Sequence, residues 1–471
     1  MPPKPLRPVP IALLVAGAFF MELLDGTIIA TALPQMAASF RTNPIDLNIG
    51  MTAYMLAVAV FLPASGWVAD RFGSRTVFAT AIVVFSVASI LCGLSGGLET
   101  FTAARILQGM GGAMMVPVGR LAVLNHTPKT ELMRSIAYIT WPSLAAPIIG
   151  PPLGGFIATY ASWHWIFFLN VPIGVAGVVL ALALLPDHKS PEQKPLDGLG
   201  FALTAPALFG LMYGFDLVGR PGSTLQTTLL FLVGGSIAAA AAVRHARRHP
   251  HPLLDLSVLK VPTYAVTTWG GSMFRIAIGA APFLLPLLFQ IGFGRNAFVS
   301  GLLVLSLFAG NVAMKPLTTR ILRRFGFRRV LIANGLALGV SIAACAFFSA
   351  STPTIPIVIV LFASGMSRSL QFTALNTLAF ADIPKSQMSG ANTLASMVQQ
   401  LNAGLGIAGG ALALRLALLF GLRSGEGLVS DDFRVAFVVV GGVACLGVLH
   451  CLKLSPTAAA EVSGHSESSS R

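Results

Sequence analysis

The chain has 471 residues, of which 55% are hydrophobic and 10% charged, against roughly a quarter charged in an ordinary soluble domain. Soluble folds of this length divide into domains with polar surfaces between them, whereas here polar residues are confined to short loops, so the bilayer is the implied solvent and a soluble enzyme or binding module is excluded. The net charge of +14 would suit a nucleic-acid partner, but most of the 31 Lys and Arg fall in tails, loops and helix ends on one side of the expected membrane, the positive-inside asymmetry, which accounts for the charge without nucleic acid.

An apolar helix of about 20 residues spans the hydrocarbon layer. Candidate spans begin near positions 10, 48, 77, 100, 135 and 163, then 198 and 224, then 264, 298, 329, 354, 390 and 433. Continuous runs without period-two alternation predict helices and exclude a closed barrel, the other structure that satisfies its backbone in lipid. The first run carries two acids and reads as a spanning helix, not a cleaved signal peptide. An even number of crossings puts both termini on one side, which the charge assigns to the cytoplasm.

A segment of the first half returns in the second. GWVADRFGSRTVF, Gly66 to Phe78, is echoed by TRILRRFGFRRVL, Thr319 to Leu331, at an offset of 253 and with Arg323 in place of Asp70. Gly109-Met110 and Pro128-Lys129 line up with Gly365-Met366 and Pro384-Lys385 at an offset of 256. The fold class expected is therefore an all-α integral membrane protein with two pseudo-symmetric six-helix bundles and two inserted spans. Its expected divisions are a cytoplasmic tail (1–9), an N-terminal bundle (10–186), linkers with the inserted pair (187–262), a C-terminal bundle (263–454) and a disordered tail (455–471). A hydrophobic chain built twice over in parallel has one leading explanation, a secondary transporter whose halves rock around a central site.

Within the first span, Glu22 and Asp25 stand three residues apart and share a helix face. A charge at mid-membrane costs about 2.5 to 3.5 kcal/mol even on the lenient insertion scale, and neighbouring carboxylates disfavour each other's ionisation. The pair reads either as a proton-exchanging site centred on Asp25, with Glu22 as helper or alternate, or as a hydrogen-bonded packing pair. After the second span, Asp70, Arg71 and Arg75 surround a tight turn where Gly73 supplies a conformation that side chains hinder. Charges at such helix ends either gate the movement of the halves or anchor topology.

In the fourth span Arg105, Gln108, Gly109 and Gly112 follow i, i+3, i+4, i+7 spacing and form one stripe. A permanent cation there needs a counter-charge, for which Asp25 or Glu22 is the natural candidate. The fifth span offers aromatic area at Tyr138 and Trp141, then Gly150, Pro151, Gly154 and Gly155, which predict a kink and a flat face for close helix approach. In the second half, Arg275 and Arg368 are intramembrane cations without an acid beside them; they either bind an anionic cargo or pair with backbone carbonyls and helix ends. Asn392, Ser396 and Gln399 form a polar stripe that, with Tyr138 and Trp141, would line a mostly apolar cavity with a few polar anchors. Cys92, Cys345, Cys445 and Cys451 lie in apolar segments without CxxC spacing and read as buried small hydrophobes, so neither a metal site nor a disulfide framework is expected.

Five patterns in order carry a family resemblance: LLDGTIIATALP (Leu23 to Pro34), GWVADRFGSR (Gly66 to Arg75), RILQGMGGA (Arg105 to Ala113), GPPLGG (Gly150 to Gly155) and SWHWIFFLNVPIG (Ser162 to Gly174). The chain resembles the fourteen-helix drug:proton antiporter branch of the major facilitator superfamily, the EmrB/QacA type, from about residue 10 to 455. The resemblance implies that Arg105 takes part in proton coupling by modulating the acid, and that the fifth-span motif marks exchange of cargo for protons. It implies a multi-pass transporter of the cytoplasmic membrane, a monomer, exporting amphipathic or lipophilic organic compounds with the proton gradient as its energy source and no cofactor. The alternative is uptake or facilitated diffusion of a specific metabolite. An intramembrane enzyme would need HExxH or paired aspartates on separate helices, and neither is present. A sensor that moves no cargo would have little use for costly charges at Asp25 and Arg105.

Overall fold

Without water to satisfy it, a backbone in lipid must close its own hydrogen bonds, and the computed structural model, which describes residues 8–29, 32–42, 47–186, 189, 195–220, 222–420 and 430–463, is helical with no strand among them. The first half comprises α1 (Pro8–Ile28), α2 (Leu33–Phe40), α3 (Asn48–Phe61), α4 (Ser65–Phe72), α5 (Ser74–Gly93), α6 (Leu98–His126), α7 (Leu132–Tyr160), α8 (His164–Phe168) and α9 (Asn170–Leu184). The inserted pair is α10 (Gly198–Gly219) and α11 (Leu225–Ala246). The second half comprises α12 (Pro262–Leu287), α13 (Ala297–Ala344), α14 (Thr354–Ala381), α15 (Met388–Phe420) and α16 (Ser430–Cys451), followed by the single turn α17 (Ala460–Ser463).

Among the described residues, 11 helical stretches are long and apolar enough to cross a membrane. One of them, Val299–Phe347, runs to 49 residues and holds Gly326 at φ 72°, ψ 164°, so it is two crossings joined by a turn. With α7 (29 residues) and α15 (33 residues), each longer than a layer of about 30 Å requires, the architecture is consistent with fourteen crossings.

The repeat is written in the backbone. Gly73 ends α4 at φ 90°, ψ 137°, and Gly326, at the offset of 253, turns the same way; both lie where a Cβ is strongly disfavoured. The prolines Pro128 and Pro384 share ψ 147° and open matching single turns, Lys129–Glu131 and Lys385–Gln387. Packing repeats as well: a Cβ on Gly109 would strike the carbonyl oxygen of Tyr54, and one on Gly365 that of Leu307.

In the first half α1 packs on α7, and α6 on α3 and α5; in the second, α13 packs on α14 and α16, and α12 on α15 and α16. Lipid gives no hydrophobic drive between helices, so close approach of small residues does much of this work. In the inserted pair, a Cβ on Gly210 would lie 2.9 Å from the Cα of Gly235. α10 also packs on α3 and α15, one helix from each half, while α11 leaves Leu230 and Ile237 67% and 65% exposed, as a lipid-facing helix would.

The halves meet at the end of the bundle that carries the basic loops. There Asn392 Nδ2 donates to the Pro117 carbonyl at 2.8 Å and Lys315 Nζ to Thr140 Oγ1 at 2.9 Å. A Cβ on Gly66 would collide with Thr393 Oγ1 and come within 3.0 Å of Ser389 Oγ, so α4 and α15 touch through a glycine. The expectation of a disordered tail from residue 455 is corrected up to residue 463. Ala459 and Val462 are buried and Glu461 pairs with Lys129 Nζ at 3.0 Å, because the small apolar run of this segment docks on the bundle. Residues 1–7, 187–188, 190–194 and 464–471 of the expected tails and linker lie outside the described residues.

Candidate transport site

Four helices converge on Asp25. Arg105 Nη1 reaches Asp25 Oδ2 at 2.5 Å, and Gln108 Nε2 and Asn170 Nδ2 each donate to Oδ1 at 2.9 Å. Gln108 and Asn170 also donate to Ser89 Oγ, at 2.8 and 3.2 Å, and Gln108 Oε1 accepts from Arg105 at 2.6 Å. All of these side chains are buried. The sequence makes this possible by setting glycines beside the polar residues of α6: a Cβ on Gly111 would lie 2.9 Å from the backbone of Phe85, which brings α5 close enough for short polar groups to meet. The expected pairing of Arg105 with an acid is present, and its partner is Asp25.

Glu22 is placed differently. Its Oε1 accepts from the Tyr54 hydroxyl at 3.3 Å, while Oε2 is buried with no partner. The Tyr54 ring lies under the Arg105 guanidinium at 4.4 Å, linking the two acids through one aromatic, and Glu22 also feels the charge of Arg120 on α6. Protonating Asp25 would break an ion pair; a proton on Glu22 Oε2 breaks nothing. The arrangement can therefore hold one carboxylate fixed and exchange a proton at the other.

The fifth-span glycines serve the same helix. A Cβ on Gly150 would collide with Thr27 Oγ1, so α7 lies against α1 two residues beyond Asp25; Gly154 is buried and Gly155 faces open space. The side chains of Pro151 and Trp141 lie outside the described residues. Asp70 and Arg71 line a cleft of about 570 Å³ at the basic end, shared with Asp197, Asp255, Lys385 and Thr393, whereas Arg75 is half-buried beyond the Gly73 turn. Asn392 and Ser396 are buried, Gln399 is half-buried, and the Tyr138 hydroxyl is taken by Arg134, at 3.1 and 3.2 Å, with no described hydrogen bond to that stripe. Arg275 donates to the Thr267 carbonyl and to Asn376 Oδ1, and Arg368 is half-buried.

Sequence reasoning missed Ser89, Tyr54, Asn170, Arg120 and Lys315. Asn170 lay within the pattern Ser162 to Gly174 without a role; Arg120 and Lys315 carried the signal that found Arg275, a lone cation in an apolar run. Nothing in the sequence marked Ser89 or Tyr54.

Outside the spans, Asp197 caps α10 through Gly200 N (2.8 Å) and also accepts from His245 Nε2 (2.8 Å) and Leu253 N (3.1 Å), tying both inserted helices to the linker. Burial pushes its carboxyl up, but these donors outweigh that and hold it below the usual carboxylate value.

The family model described as Major Facilitator Superfamily matches residues 15–407. The chain is similar to proteins named multidrug resistance protein MdtD: that of Serratia proteamaculans is 38% identical over 448 residues, covering 93% of this chain and 91% of that one. That of Cronobacter sakazakii is 40% identical over 395 residues, covering 84% and 83%. Among solved structures, the proton:xylose symporter XylE matches with a TM-score of 0.64 at 13% identity, covering 95% of each chain. The human organic anion transporter MFSD10 matches with 0.63 at 14%, covering 96% of this chain and 100% of that one. At such identities the two structures speak for the fold.

Proposed function

The chain belongs to the Major Facilitator Superfamily, and on that premise we propose that it is a proton-coupled antiporter exporting amphipathic or lipophilic organic compounds by alternating access. The relatives' names as multidrug resistance proteins favour export over uptake of a single metabolite. The observation that carries proton coupling is the division of labour between two carboxyls: Asp25 fixed by Arg105, Gln108 and Asn170, and Glu22 one turn away with an oxygen free to take a proton. Asp25 and Arg105 then act as positioning residues and Glu22 as the carrier.

In this reading the membrane is the cytoplasmic one, both termini and the basic loops face the cytoplasm, and one chain with two halves suffices as a monomer. The proton gradient is the energy source, with no cofactor and no nucleic acid involved. Opening toward the cytoplasm requires α4 and α15 to part at Gly66 and Thr393, and Lys315 to leave Thr140. Gating falls to Asp70 and its neighbouring arginines Arg71 and Arg75 around Gly73, beside that contact. The test is movement of fluorescent amphipathic compounds of differing charge into inverted membrane vesicles with and without a pH difference. Accumulation that collapses when the gradient is dissipated is expected; accumulation indifferent to the gradient would overturn the proposal.

A further inference from the structure

The seam between the halves holds more positive charge than its own acids can balance. Arg275 of α12 lies within reach of the charge of Arg120 of α6 across it, and Lys315 of α13 crosses it to Thr140; Arg368 lies on the neighbouring α14. Asp25 is committed to Arg105, which leaves Glu22 as the acid near Arg120. Among the described residues no carboxylate lies within ion-pair distance of Arg275, Lys315 or Arg368.

The polar partners of these cations are few. Arg275 gives its Nη1 to the Thr267 carbonyl at 3.0 Å and its Nη2 to Asn376 Oδ1 at 3.1 Å, and its Nε is buried without an acceptor. Arg368 Nη1 is likewise buried and unpartnered. Lys315 Nζ donates to Thr373 Oγ1 at 3.0 Å. Thr373 and Asn376 are i and i+3 on α14 and so are neighbours on one face, which anchors the Lys315 and Arg275 heads to the same face of that helix.

The internal repeat sharpens the point. Arg275 stands 253 positions after Glu22, and Arg368 stands 256 after Gly112. A Cβ on Gly112 would lie 3.6 Å from Glu22 Oε1, so the second half sets two cations at the positions where the first has an acid facing a glycine. An intramembrane cation without a counter-charge is costly even when half-buried, and a transporter can receive that counter-charge from what it carries. We propose that the cargo is an amphipathic organic oxyanion, a carboxylate or sulfonate on an apolar body, with its acidic group held by Arg275 and Lys315 along that face of α14. The proposal rests on the export reading for its biological sense, but its test is binding.

Purified full-length protein is titrated with naphthoate, naphthylmethanol and naphthylmethylamine, which share a ring system and differ in charge, and binding is followed by quenching of tryptophan fluorescence. Naphthoate is expected to bind at least tenfold more tightly than the amine. Arg275→Gln and Lys315→Gln are each expected to weaken naphthoate roughly ten- to hundredfold, the scale of a lost charged hydrogen bond. Binding of the alcohol serves as the folding control, and Arg275→Lys should recover part of the loss. An amine that binds as well as the acid, naphthoate affinity unchanged in both Gln variants, or no naphthoate binding would each overturn the oxyanion site. If naphthoate binds as described but a pH difference across proteoliposomes leaves its movement unchanged, the site stands and proton coupling falls. If ethidium moves with the gradient while naphthoate does not bind, coupling stands and the site falls.

Discussion

Replacing Asp25 with Asn conserves shape and exchanges one carboxylate oxygen for an amide nitrogen. In the wild-type site Oδ1 accepts two N–H groups, from Gln108 and Asn170 at 2.9 Å each, and Oδ2 faces Arg105 at 2.5 Å. An asparagine cannot serve both sides. With its oxygen toward the two amides, its NH2 meets the guanidinium donor against donor; flipped, the NH2 meets Gln108 and Asn170 instead. In both orientations Arg105 stays buried at 1% exposure with no anion: in the first Gln108 Oε1 is its remaining side-chain acceptor, and in the second it keeps a neutral amide oxygen while the NH2 meets two N–H donors. Breaking one side of such a pair costs about 3 to 5 kcal/mol, whereas replacing both sides with apolar residues is often near neutral. Asp25→Asn should therefore lower the unfolding free energy of the detergent-solubilised protein by about that amount, and Asp25→Leu/Arg105→Met should recover most of it. The assay is denaturant unfolding followed by the fluorescence of the five tryptophans. An Asp25→Asn protein within about 1 kcal/mol of wild type, less than one lost charged hydrogen bond, would refute the assignment of Asp25 as the fixed carboxylate.

Three further outcomes follow from other parts of the molecule. Glu22→Gln keeps an acceptor for Tyr54 and should change stability by less than about 1 kcal/mol, yet it should abolish gradient-driven accumulation of the transported compound in inverted vesicles; full accumulation would return the proton to Asp25. Gly66→Leu forces a side chain into Thr393 and Ser389, so the basic end should stay open; a cysteine placed at Asn125, on the cleft there, should react faster with a membrane-impermeant maleimide, and an unchanged rate would count against this contact as the closure point. Asp197→Ala removes a helix cap and two further acceptances, costing about 1 to 2 kcal/mol, and should speed proteolysis of the linker after α11. Because the Asp197 carboxyl is held below its unfolded value of about 3.9, its contribution is complete above that pH and fades as pH falls through the folded value; linker protection in the wild type should thus be flat from about pH 5 upward, and a loss near pH 6 would contradict it.

Much of the architecture was legible because lipid leaves few options. Length of apolar run gives the crossings, and the 253-residue echo gives the two halves, since Gly73 and Gly326 must each supply a turn that other residues resist. That Arg105 must meet an acid of the first span was legible for a similar reason: a cation in lipid needs a counter-charge, and Asp25 and Glu22 were the acids on offer. Asn170, Ser89 and Tyr54 were not, because ordinary polar side chains on separate helices announce nothing until packing sets their neighbours. Which of Glu22 and Asp25 is held by hydrogen bonds was hidden for the same cause, being decided by which carboxylate the amides of α6 and α9 reach. The turn at Ala460–Ser463 was hidden because four residues carry no periodicity of their own.

α10 rests on α3 and α15 together, one surface from each rocking body. Any tilt of the two bundles must shear past this helix, and its partner α11, facing the acyl chains, carries no such load. A helix that bridges both bundles in this way would have to slide on one of them whenever they tilt, so the extra hairpin would travel with the cycle instead of standing beside it.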